Sequence, residues 1–92
     1  MINKITIDGT KLATEKDFHQ FLKKELEFPD YYGENLDALW DMLTAWIDLP
    51  LTVEWKYVAE CKRKWGENRV EKILDVFREA EKELKRFQLI SS

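Results

Sequence analysis

An α/β fold is predicted, with three parallel strands packed by four helices. Short alternating or apolar runs stand near the start, middle and end of the chain. Two helical patterns lie between the first run and the second, and two more between the second and the third. Strands joined through helices return to the same end of the sheet and pair in parallel. The 92 residues amount to one core, so residues 1–92 read as one domain.

Ile5 and Ile7 alternate with Lys4 and Thr6 as a short strand, and Asp8-Gly9 ends it as a turn. Thr14 is a good helix N-cap, with Asp17 three residues on in the manner of a capping box. Phe18, Phe21, Leu22 and Leu26 follow at helical spacing, and Pro29 closes that helix. The second helix starts at about Asn35. Leu36, Leu39, Trp40, Leu43 and Ile47 share one of its faces, and Pro50 blocks continuation. Leu51, Val53 and Trp55 alternate with Thr52 and Glu54 as the second strand. A short helix is expected from about Lys56 to Lys64, ending near Gly66. Asn68 is expected to cap the last helix, whose buried stripe is Val70, Ile73, Leu74, Phe77, Ala80 and Leu84. Phe87 to Ile90 fits a third strand.

Cys61 is the single cysteine, so no internal disulfide supports the fold. Residues Met1 to Gly9 carry Lys4 and Asp8, which suits neither a secretory signal nor an anchor. No apolar run approaches the ~18 residues of a membrane span. A cytoplasmic protein is expected.

Net charge is −3, but its layout is uneven. From Glu25 to Trp55 there is no Lys or Arg, while Glu25, Glu27, Asp30, Glu34, Asp37, Asp41, Asp48 and Glu54 all fall there. Such a field favours a basic partner surface and disfavours nucleic acid at that end. On a wheel of about 100° per residue, with Glu34 at 0°, Asp37 falls near 300° and Asp41 near 340°. Leu36, Leu39 and Leu43 centre near 170°. The acids therefore line the side away from the core. Ala38 and Ala45 beside them are too small to hold a partner off, and Trp40 lies between stripe and core. Tyr31 and Tyr32 flank the helix start.

Catalysis fits these residues poorly. Asp37 and Asp41 are an i, i+4 carboxylate pair, but an exposed helix face is convex and His19 is the only histidine. There is no phosphate-binding glycine loop and no nucleophile–base set. His19, at the edge of the first helix's apolar face, and Cys61 read as structural. Lys62, Arg63 and Lys64 read as a solvated face. No enzyme activity, metal or cofactor is expected. Binding suits the stripe better, because Arg and Lys groups that hold phosphate accept a carboxylate in its place.

The run Tyr31-Tyr32-Gly33-Glu34-Asn35-Leu36-Asp37-Ala38-Leu39-Trp40-Asp41 resembles the core segment of the barstar family, inhibitors of barnase-like ribonucleases. The flanks agree: His19 to Leu26 before it, Leu43-Thr44, Trp46, Pro50-Leu51 and Glu54-Trp55 after it, and Val76-Phe77-Arg78-Glu79-Ala80 in the last helix. The resemblance implies a parallel sheet of three strands with four helices and 1:1 binding in the active-site cleft of a secreted, barnase-like ribonuclease. It implies that Asp41 takes the place of a substrate phosphate, that Asp37 and Glu79 are further acidic contacts, and that Tyr31 packs on the catalytic histidine. Asn35, Leu36, Trp40, Thr44, Trp46 and Val76 match other contact positions. Ala45 stands where a close family member has glycine near the partner, and Glu83, one turn beyond Glu79, is placed to join the contact. The stretch Lys56 to Arg69 diverges, and Lys82 to Arg86 is more basic and without glycine. Two other readings stay open: an immunity protein for a different nuclease toxin, and a barstar-fold interaction domain without a nuclease target. No nucleic-acid or membrane partner is implied.

Overall fold

The computed structural model describes residues 3–92, so the first two residues of the expected N-terminal segment lie outside it. The elements are β1 (Lys4–Asp8), α1 (Glu15–Glu25), α2 (Leu36–Asp41), β2 (Leu51–Lys56), α3 (Val58–Trp65), α4 (Glu67–Glu83) and β3 (Phe87–Ser91). A 3₁₀ turn, Gly9–Lys11, follows β1, and a wide π turn, Met42–Trp46, prolongs α2. The sheet order is β1-β2-β3 and both pairings are parallel, with Ile5 beside Val53 and Val53 beside Leu89. The expected architecture is present.

Helices cover one face of the sheet. Ile5, Ile7, Leu51, Val53, Trp55 and Phe87 are buried there. Lys4, Thr6, Thr52, Glu54, Gln88 and Ile90 occupy the other face, which stays polar and open to water. Trp55 is the hub of the core: fully buried, stacked on Phe18 at 5.0 Å and edge-on to Phe77 at 6.3 Å. Such offset and edge contacts are the favoured aromatic geometries.

Local sequence explains most of the boundaries. Thr14 Oγ1 accepts from the Asp17 N–H at 3.2 Å and the Asp17 carboxylate accepts from the Thr14 N–H at 3.1 Å, which completes the capping box of α1. Asn35 caps α2, its Oδ1 accepting from the Ala38 N–H at 2.8 Å. The second helix departs from the regular form expected of it. At Met42 it widens, the Ile47 N–H reaching the Met42 carbonyl at 3.1 Å. The third helix starts later than expected, because Lys56 completes β2 and Tyr57 turns the chain in the left-handed region at φ 60°. The last helix starts earlier, at Glu67. Gly66, at φ 100°, takes the boundary position expected of Asn68. Leu84 is half-buried at the end of α4 rather than in the core.

The basic cluster of α3 is not simply solvated. Lys64 Nζ donates to the Gly9 and Leu12 carbonyls at 3.0 and 2.8 Å, and the Trp65 indole donates to the Ala13 carbonyl at 3.1 Å. Together they strap the segment after β1 to the end of α3. Lys62 pairs with Glu71 on α4 at 3.1 Å, and Arg63 with Glu60 at 2.8 Å. At the far side of the sheet, the Glu81 carboxylate accepts the Leu89 N–H of β3 at 2.8 Å.

Candidate functional site

The loop between α1 and α2 is set at both ends by left-handed residues, Glu27 at φ 54° and Glu34 at φ 53°. Neither is glycine, and a non-glycine residue held there stores backbone strain of about 1–2 kcal/mol. The loop is fixed nonetheless. Phe28 packs on Tyr32 with ring centroids 4.8 Å apart, and the Tyr32 N–H donates to the Pro29 carbonyl at 3.0 Å. Trp46, in the wide turn, donates its indole N–H to the Glu27 carbonyl at 3.1 Å. The effect is to separate two adjacent tyrosines. Tyr32 is 5% exposed and Tyr31 75% exposed. Only Tyr31 flanks the acidic stripe as expected; Tyr32 is a core residue.

Leu39 and Leu43 point into the core, so the opposite side of α2 faces water. Asp37 and Asp41 stand there, one turn apart and exposed. Among the described residues, neither has a basic group within 4.0 Å. Ala45 and Trp46 are exposed further along the same segment.

Leu36 and Trp40 lean from α2 towards Val76 of α4, and these three half-buried side chains floor an open groove of about 360 Å³. Its walls carry Asp37, Asp75, Glu79 and Glu83. Lys82 approaches Glu79 at 3.3 Å, and Arg78 approaches Asp75 at 3.3 Å and Glu71 at 3.5 Å. The structure thus brings Leu36, Asp37, Trp40, Val76, Glu79 and Glu83 to one groove. Asp75 was missed in the sequence, yet its signal is there: Asp75, Glu79 and Glu83 recur every four residues and so share a face of α4.

Two expected contact residues have their polar groups engaged within the chain. Asn35 uses Oδ1 for the α2 cap and Nδ2 on the Gly33 carbonyl at 3.2 Å. Thr44 is half-buried, its hydroxyl donating to the Trp40 carbonyl at 2.8 Å. Behind the loop, His19 is not at an edge but 1% exposed, with Nδ1 2.6 Å from the Tyr32 hydroxyl. Burial holds its imidazole below the usual histidine range. Cys61 is buried beside Gly9, and burial pushes its thiol up, away from the reactive thiolate. Among the described residues, no group of three or more His, Cys, Asp or Glu side chains is placed to hold a metal ion, and no helix is long and apolar enough to cross a membrane.

Residues 2–90 match the family described as Barstar (barnase inhibitor). The chain belongs to the barstar family. A relative in Bacillus subtilis (strain 168), named "Putative ribonuclease inhibitor YrdF", is 46% identical over 84 residues, covering 91% of this chain and 91% of that protein. The family match spans the Tyr31–Asp41 run, and the geometry shows what that run does locally: it turns the chain, caps α2 and lifts two carboxylates clear of the core.

Proposed function

We propose that this protein is a cytoplasmic inhibitor that occludes the active site of a barnase-like ribonuclease, 1:1, with α2, the preceding loop and the α2–α4 groove as the contact surface. The observation that carries this reading is the unpaired acidic face of α2, continuous with the acid-walled groove. A ribonuclease cleft must present cations to hold the phosphodiester. Carboxylates carried on a helix accept the same charge-assisted hydrogen bonds, and the backbone beneath them is already ordered before binding. Asp41 stands in for the scissile phosphate. Asp37, Glu79 and Glu83 meet the cations around it, and Tyr31 and Trp46 supply aromatic area at the edge. The segregated charge also speeds encounter above the ~10⁵–10⁶ M⁻¹s⁻¹ of uncharged partners. The relative's name and the family's description both point to ribonuclease inhibition, which supports binding rather than catalysis as the role.

The test is RNA hydrolysis by a barnase-type ribonuclease titrated with the purified protein. Full inhibition at one equivalent, lost on Asp41→Ala, is the expected result. If that enzyme is untouched but the nuclease domain of a toxin encoded beside the gene is blocked, and that block is lost on Asp41→Ala, the target assignment is wrong and the surface stands. Inhibition of neither removes the reading.

A further inference from the structure

The loop that carries Tyr31 is held from behind by a contact inside the core. His19, on α1, meets the Tyr32 hydroxyl at 2.6 Å, and both side chains are buried. Nε2 of the same ring has no hydrogen-bond partner and faces Glu15 Oε2 at 3.7 Å. That carboxylate is already taken by Arg69 of α4, at 3.0 and 2.7 Å. The charged and titratable groups around the ring are therefore Glu15 from α1, Tyr32 and Glu34 from the loop, and Arg69 from α4.

These positions assign the neutral tautomer. A proton on Nε2 points at the carboxylate, whereas a bare Nε2 would aim a lone pair at it. Nδ1 is then the bare nitrogen, and the Tyr32 O–H donates to it. A second proton can go only on Nδ1, the atom that accepts this bond. Nδ1 becomes a donor, the hydroxyl must turn to accept, and its own hydrogen loses its acceptor in a buried place. The carboxylate nearest the imidazolium, Glu15, is already committed to Arg69. A buried polar group so stranded is costly.

We propose that His19 and Tyr32 are a positioning pair for the binding surface: the neutral ring holds Tyr32, and through it Tyr31, where the partner meets the loop, and protonation of His19 releases the loop. This rests on the inhibitory reading above and adds an acid-sensitive element to it. Burial opposes the imidazolium most, with Arg69 against it and Glu15 and Glu34 in its favour, so release belongs below the ordinary histidine range. Tyr32 and His19 touch no partner; they act through Tyr31.

The experiment has two arms. In the first, dissociation from a barnase-type ribonuclease is timed for the parent, Tyr32→Phe, Tyr31→Ala and the double variant, near pH 7.5 and near pH 5.5. Tyr32→Phe should speed dissociation roughly threefold to tenfold at neutral pH, and by less than about twofold where Tyr31 is already Ala. Its acceleration by acid should be smaller than the parent's. One nuclease serves all four, so its own titration cancels. Equal effects with and without Tyr31, or identical acid responses, overturn the proposal. In the second arm the free parent protein is titrated by NMR. The Tyr31 and Tyr32 ring signals should move with the His19 midpoint, and rings that ignore it overturn the proposal equally. This arm needs neither a variant that folds nor a nuclease that binds, so it decides the pair even if the inhibitory reading fails.

Discussion

Asp41→Ala should make the free protein more stable, and by more than Asp37→Ala does. The two carboxylates are one turn apart on α2, exposed, and without a basic group within 4.0 Å among the described residues. Like charges at this spacing cost about 0.2–0.5 kcal/mol. Asp in a helix is also about 0.5 kcal/mol poorer than Ala. Removing Asp41 relieves both penalties, a gain of about 0.5–1 kcal/mol. Asp37 is in the first turn of α2, where the helix N-terminus attracts a carboxylate by about 0.3–1 kcal/mol, so its removal should come out near zero. Urea unfolding followed by fluorescence of the four tryptophans measures both. In about 1 M salt the advantage of Asp41→Ala should shrink towards the part due to helix propensity. A loss of more than about 0.5 kcal/mol on Asp41→Ala would mean that the carboxylate has a stabilising partner. The idea that this face is kept under charge strain for a partner would then fail.

Against the cognate nuclease, Asp41→Ala should cost about 2–5 kcal/mol, roughly 30- to several-thousand-fold, mainly as faster dissociation; that range draws in part on the barnase–barstar complex itself. Asp48→Ala should change mainly the association rate and its salt dependence, and stopped-flow kinetics at two salt concentrations refutes this if the two variants behave alike. Trp55→Ala empties the centre of the core and should lower unfolding stability by about 3–5 kcal/mol without altering the association rate of the folded fraction; a loss under about 2 kcal/mol would contradict its place between Phe18 and Phe77. Lys64→Ala strands the Gly9 and Leu12 carbonyls and should cost about 1–3 kcal/mol, so a thermal midpoint within a degree of the parent's would show the strap to be idle. For pH, the folded His19 is depressed below its unfolded value of about 6.5, so its contribution is present above that value and lost as pH falls through the folded one. The Glu15 and Glu71 carboxylates, lowered chiefly by hydrogen bonds from Arg69 and Lys62, keep theirs until more acid pH. His19→Gln should flatten the first part of the decline in a urea series from pH 7.5 down to pH 5, and an unchanged slope would exclude His19 as its cause.

The sheet was legible because only one of its faces is covered. A parallel sheet packed on both sides reads as unbroken apolar runs, whereas Leu51, Val53 and Trp55 alternate with Thr52, Glu54 and Lys56, which face water or the rim. The acidic stripe was legible for the same reason: one side of α2 has nothing to bury. What stayed hidden depends on partners distant in sequence. Lys64 looks like any basic helix residue until a segment 52 and 55 residues earlier offers it two carbonyls. His19 looks like an edge residue until Tyr32 closes over it. The wide turn at Met42 leaves no mark in a periodic pattern, since one extra residue per turn falls within the tolerance of an apolar stripe. Nor do three- and four-residue steps alone say that Leu36 and Trp40 lean on α4 rather than on the sheet.

The contact between Glu81 and β3 has a consequence for how the molecule behaves in a crowd. The Arg86 carbonyl and the Ser92 N–H both turn towards β2, so the intervening odd-numbered residues Phe87, Leu89 and Ser91 direct their backbone groups outward. An outward row of this kind is a template on which a stray chain can crystallise into fibre. The Glu81 carboxylate sits on the Leu89 N–H in the middle of that row. An incoming strand would have to evict a charged group and then bury its neighbour's charge in a growing sheet. The last helix thus works as a stopper in the middle of the β3 edge, at the place where a fourth strand from the next molecule would have to pair.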